Sequence, residues 1–185
     1  MQNIYLTPHF TLREMCESRL AEKHDIQNVP SEQETENLRR LCEGTLEPLR
    51  EKLGLPVVIT SGYRTKALND IIAHSARKSQ HMEGRAADFY IGQGPVSGSR
   101  CQVSGDLNHE TGDSPMKLET PRQRLIRAFR LILHDPDIDF DQLILYPTFI
   151  HVSYVSREKN RRKITTANGH GTYCAVTREV ALTII

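Results

Sequence analysis

Residues 79–88, Ser79-Gln80-His81-Met82-Glu83-Gly84-Arg85-Ala86-Ala87-Asp88, constrain the fold more than any other stretch. A histidine and an aspartate stand seven residues apart, with a glycine and two small residues between them. A helix brings two ligands to one face at spacings of three or four, as in the metal-binding H-E-x-x-H helix. A spacing of seven with Gly84 inside it predicts a turn running into a strand instead. Gly84 permits the reversal, and Ala86 and Ala87 admit a close neighbour. On the strand, Ala86, Asp88 and Tyr90 share one face, while Ala87, Phe89 and Ile91 share the other. Asp88 then points into a site, and Phe89 and Ile91 point into a core.

Phe149-Ile150-His151-Val152-Ser153-Tyr154 alternates cleanly and is predicted to be a strand. His151 shares a face with Phe149 and Ser153, opposite Ile150, Val152 and Tyr154. His81, Asp88 and His151 together make a His, Asp, His donor set. Three protein ligands leave one tetrahedral position for water, the arrangement of a catalytic rather than a structural zinc site. Each residue also has a plainer place: a surface turn for His81, a turn cap for Asp88, a satisfied sheet position for His151. Together, with the patterning around them, they favour one bound Zn2+.

The segment Ser79-x-His81-x-x-Gly84-x-Ala86-x-Asp88 resembles the S-x-H-x-x-G-x-A-x-D signature of the zinc D-Ala-D-Ala carboxypeptidase family. That family includes peptidoglycan L-alanyl-D-glutamate endopeptidases and D-Ala-D-Ala dipeptidases. Two further blocks are similar to it in the same order. One is Ile59-Thr60-Ser61-Gly62-Tyr63-Arg64-Thr65 with Leu68-Asn69, and the other is Phe140 to Ile144 followed by Ile150 to Tyr154. The resemblance covers roughly residues 5 to 156. It implies an α+β, Hedgehog/DD-peptidase-like fold: a small antiparallel sheet carrying the zinc site, with helices packed on one side. It also implies Zn2+ on His81, Asp88 and His151, a peptidoglycan peptide as substrate, and substrate contacts from Tyr63, Arg64 and Ser79. Arg64 sits at the mouth of a strand-to-helix turn, where a guanidinium forks onto a carboxylate. It holds the carboxylate of the cleaved-off residue, lies close to the scissile bond, or pairs with a local acid. Ser79 either hydrogen-bonds substrate backbone or fixes the turn.

Charges nearly cancel, 24 Lys plus Arg against 23 Asp plus Glu, which argues against a nucleic-acid partner. No apolar run approaches the ~20 residues that span a bilayer. Met1-Gln2-Asn3-Ile4-Tyr5 has neither a basic nor an apolar secretory region. The expected product is cytoplasmic as synthesised, released to the cell wall on lysis, with Cys16, Cys42, Cys101 and Cys174 as reduced thiols. At 185 residues a single domain is expected over 1–185, acting as a monomer.

The remaining chain reads as scaffold. Thr11 to Glu14 is a capping box opening a helix through about Leu20, and Ser31 to Glu34 opens a longer one. Leu38, Leu41, Leu46, Leu49 and Leu53 form its apolar stripe, with a kink at Pro48 and an end at Gly54. The strand Pro56 to Thr60 leads to the Arg64 turn, and Thr65 caps a helix to about Ala73. Residues 92–120 hold five of the eleven glycines and form a long loop, a flap beside the site or an insertion. A helix follows from Pro121 to His134. Its inner face is Leu125, Ile126, Phe129, Ile132 and Leu133, and its outer face is Arg122, Arg124, Arg127 and Arg130. Phe140 to Leu145 pairs with the His151 strand as a hairpin. Arg157 to Lys163, with five basic residues in seven, is a solvated turn. Residues 164–185 form a short C-terminal extension, whose apolar end is an edge strand or a partly mobile terminus.

The pattern lacks an obvious general base. Many members of the resembled family carry a Glu three residues before the last histidine ligand, where this chain has Thr148. Others carry Glu or His five residues before it, where this chain has Tyr146. A tyrosine, with a free pKa near ~10, is a poor base at pH 7 but donates to an oxyanion. Tyr146 is therefore expected to act as an electrophilic or proton-relay residue. Glu83, His74 and His109 are further candidates that no spacing supports. Two functions follow. One is a zinc peptidase cutting peptidoglycan at bonds involving D-amino acids, as a carboxypeptidase or an endolysin-type endopeptidase. The other is a catalytically silent, zinc-containing module that binds cell-wall peptide, or a phage structural component.

Overall fold

A computed structural model describes residues 4–73, 75–94, 119–167 and 173–178. It is α+β, built on a six-stranded sheet in the order β1-β2-β4-β3-β5-β6. The strands are β1 Val57–Ser61, β2 Ala86–Ile91, β3 Gln142–Leu145, β4 Ile150–Ser153, β5 Lys163–Ala167 and β6 Tyr173–Ala175. Neighbours run antiparallel except β3 and β5, which are parallel. That parallel pair departs from the all-antiparallel expectation. The segment expected as an extension from residue 164 instead supplies two strands of the sheet. Its apolar end beyond Arg178, most of the 92–120 loop, His74, Cys101 and His109 lie outside the described residues.

One sheet face is packed and the other is open. Ala87, Phe89, Leu143, Ile150 and Val152 are each 0 % exposed and meet the helices in one apolar core. The helices are α1 Leu12–Cys16, α2 Arg19–Lys23, α3 Glu32–Leu41, α4 Glu47–Leu53, α5 Lys66–Ile71 and α6 Pro121–His134. The leucine stripe of α3 and α4 is buried along its whole length. Between those two helices, residues Cys42–Leu46 form a π-helical turn. Pro48 has no N–H to give the Gly44 carbonyl, which accepts from the Asp139 N–H at 3.1 Å instead.

Two local expectations change. The first helix stops at Cys16 and restarts after Ser18, whose Oγ accepts from the Ala21 N–H at 3.3 Å. The Cys16 carbonyl is taken by Asn28 Nδ2 at 2.9 Å rather than by a continuing helix. On α6, Arg124 is not on the solvated face. It is 7 % exposed, and its guanidinium donates to the Ile91 and Glu119 carbonyls at 3.2 and 2.6 Å. Ile126, expected inside, is only half-buried.

Candidate metal centre

His81 stands in a 3-10 turn, Gln80–Glu83, just before β2. Ser79 caps that turn, its Oγ accepting from the His81 N–H at 3.4 Å. Gly84 ends it at φ 67, and a Cβ there would fall 2.4 Å from the Glu34 carbonyl oxygen. Only glycine lets the chain reverse against α3 so closely. Asp88 then rises on the open face of β2. Strand β4 inserts beside β2, not at the far side of β3, so His151 lies directly opposite Asp88 in the register. The site is thus assembled by a local turn and one long-range strand pairing.

The donor atoms converge. His151 Nδ1 lies 2.7 Å from Asp88 Oδ1 and 3.3 Å from His81 Nε2, and His81 Nε2 lies 3.4 Å from Asp88 Oδ1. Metal bonds of ~2.1 Å in a tetrahedron set ligand atoms about 3.4 Å apart. Two of the three edges already match, and the third is at hydrogen-bond length. His81 is 3 % exposed, and its Nδ1 donates to the Gly62 carbonyl at 2.7 Å. That bond fixes the tautomer and turns the Nε2 lone pair toward the cleft. Burial depresses the His81 pKa and keeps the imidazole neutral, despite the pull of Asp88. Burial alone would raise the Asp88 carboxyl, but His81 and His151 outweigh it and hold it well below the usual carboxylate range. Two imidazoles and a carboxylate are the donor set a divalent metal takes.

Arg64 closes one side. Its Nη2 donates to Asp88 Oδ2 at 2.8 Å and its Nε to Ser61 Oγ at 2.9 Å. The guanidinium therefore pairs with an acid of the centre itself, the local alternative, while still lining the cleft. Ser79 also lines it. Tyr63 does not match its expected role in substrate contact. It is 6 % exposed in the core, and burial followed by its hydrogen bond to Glu34 raises its hydroxyl to about 12.

The cleft holds about 500 Å³, room for a short peptide segment. Tyr146 lines it as well, stacked on Phe149 with ring centroids 4.2 Å apart. Its hydroxyl is 3.2 Å from that of Tyr173 on β6. Burial, then this bond, raises the Tyr146 pKa above its ordinary value, so the phenol stays protonated and acts as a donor. Glu83 points elsewhere and pairs with Arg85 at 2.7 Å. Asp88 is the one carboxylate among the described cleft residues. Several cleft residues carried no sequence signal: Arg161, Lys163 and Thr165 on or beside β5, and Tyr173. Their alternation with the apolar Ile164 was the one available clue.

A family model described as Peptidase M15 matches residues 8–112, more than half of the sequence. The chain belongs to the Peptidase M15 family. The match takes in Arg64, His81 and Asp88, while His151 lies beyond it and is supplied by the structure. M15 peptidases are metal-dependent, and the His81, Asp88, His151 cluster is where this M15 chain can hold a metal. None of the curated proteins and none of the solved structures compared with the chain matches it.

Proposed function

We propose that this M15 chain is a zinc-dependent peptidase that hydrolyses peptidoglycan peptide bonds involving D-amino acids. The convergence of His81 Nε2, Asp88 Oδ1 and His151 Nδ1 at the floor of an open cleft carries that conclusion. These three atoms would hold a single Zn2+. A zinc ion there supplies Lewis-acid chemistry, acidifying water and polarising a carbonyl.

The chain's own groups do the rest. Arg64, held by Ser61 and Asp88, presents a guanidinium edge that orients a substrate carbonyl or carboxylate. Tyr146 Oη, kept protonated, donates to the oxygen that gains charge as the carbonyl is attacked. Tyr173 Oη, 3.2 Å away, holds that phenol in place. Ser79 shapes the turn rather than touching the reacting bond. Phe149 and Tyr146 form an apolar wall that limits water on that side.

A second function has one observation in its favour: beyond Asp88, no described cleft residue is a carboxylate to act as base. A silent module that binds wall peptide would look the same. The deciding experiment incubates the zinc-loaded protein with purified peptidoglycan and follows new amino groups, with products identified by mass spectrometry. Release of D-amino acids or split stem peptides supports the peptidase. Stable peptide binding without release supports the silent module.

A further inference from the structure

The row of the sheet that carries the metal ligands continues past them. Asp88 faces His151, His151 faces Ile144, and Ile144 faces Thr165. Directly opposed residues point to the same face, so Thr165 opens onto the same cleft. Thr165 is 5 % exposed, and its Oγ1 has no hydrogen-bond partner among the described residues. A buried hydroxyl without a partner is costly, and one lining a cleft is satisfied by what enters it.

The cleft it opens onto also carries cationic groups. Lys78, Arg161 and Lys163 line the same cleft. Lys78 and Lys163 form no ion pair among the described residues. Arg161 gives Nε and Nη2 to Asp141 and Gln80, which fixes the guanidinium and leaves Nη1 outside those bonds. The one acid of the cleft, Asp88, is already engaged by Arg64. Asp141 already meets the Arg161 charge, so the unpaired positive charge lining the cleft comes from Lys78 and Lys163. Two strand spacings put the Thr165 backbone ~10 Å from that of His151. An extended peptide covers that distance in about three residues at ~3.4 Å each.

We propose that Thr165, Lys163 and Lys78, with Arg161 at the rim, form a carboxylate-binding subsite about three residues along the substrate from the metal centre. The subsite rests on the peptidase reading for its substrate, but binding to it can be measured without turnover. The cleft then selects peptides that carry an acidic group at that distance from the reacting bond.

The test uses short peptides of alternating L- and D-alanine in which one glutamate is moved along the chain, each beside its glutamine counterpart. Calorimetry measures binding to the zinc-loaded protein, and mass spectrometry of the same samples reports cleavage. One glutamate position is expected to bind about tenfold more tightly than its glutamine counterpart, with an advantage that shrinks in high salt. Lys163→Met is expected to remove most of that preference. Thr165→Val is expected to weaken the glutamate peptide severalfold without lowering the melting temperature, since the hydroxyl it deletes holds nothing in the fold. Equal binding of acid and amide at every position overturns the subsite, as does a preference that survives Lys163→Met. Acid-selective binding with no cleavage keeps the subsite and sinks the peptidase; cleavage with no acid preference does the reverse. Binding of neither peptide overturns both.

Discussion

Asp141→Asn probes how the ligand-bearing segments are tied together. Asp141 precedes β3 and is 1 % exposed. Its Oδ1 accepts from the Arg161 backbone N–H and Nε, both at 2.9 Å. Its Oδ2 accepts from Gln80 Nε2 at 2.9 Å and from Arg161 Nη2. Gln80 is the neighbour of His81, and the Asp141 N–H bonds the carbonyl of Ser153, two residues past His151. Burial opposes the charge, but the Arg161 and Gln80 bonds prevail and lower the Asp141 pKa from 3.8 to about 2. That difference is worth roughly 2.5 kcal/mol at 1.36 kcal/mol per unit. The Arg161 side chain is 59 % exposed, so water screens the pair and about 1–2 kcal/mol is the better figure. The folded pKa is depressed, so the stabilisation is complete above the unfolded value near ~4 and fades as pH falls toward 2. Urea unfolding of wild type and Asp141→Asn at several pH values measures it. A loss of about 1–2 kcal/mol at pH 7 is expected, with about half of it gone at pH 3. A loss that is equal at pH 7 and pH 3, or none at pH 7, refutes the role given to this carboxylate.

Gly84→Ala forces a side chain to φ 67 and against the Glu34 carbonyl. Denaturant unfolding is expected to show a cost of about 3 kcal/mol, and a cost under about 0.5 contradicts the close approach. Asn28→Ala strips partners from the Cys16 and Tyr63 carbonyls and the Thr65 N–H, bonds of 2.9, 2.8 and 2.8 Å. About 3 kcal/mol of stability is expected to go with them, and a near-neutral result would mean water replaces all three. Tyr146→Phe is expected to lower kcat by about tenfold or more while leaving metal content unchanged. Equal turnover removes Tyr146 from the chemistry.

Much of the site was readable because its determinants are local. The spacing of His81, Gly84 and Asp88 belongs to one turn and one strand, and the alternation about His151 shows which face it takes. The apolar stripes of α3, α4 and α6 were readable for the same reason. What escaped depends on distant partners. Tyr63 lies beside Arg64 in sequence, yet the path set by Asn28 and α1 sends one inward and the other to the cleft. Arg124 has the spacing of a surface residue, but the Ile91 and Glu119 carbonyls need its donors. Arg161 sits in a run of basic residues and finds its acid 20 positions earlier. The parallel pairing of β3 with β5 joins segments about 20 residues apart, and neither the apolar run Leu143-Ile144-Leu145 nor the short Lys163–Ala167 strand names its partner.

The most direct test of the central claim is zinc content and peptidoglycan hydrolysis on one preparation, wild type beside His151→Ala. About one zinc per chain in the wild type is expected, with amino groups released from the wall by the wild type alone. Wild-type protein that takes up no metal after supplementation contradicts the His81, Asp88, His151 centre. A His151→Ala protein that binds zinc and cuts the wall as well as wild type contradicts it equally.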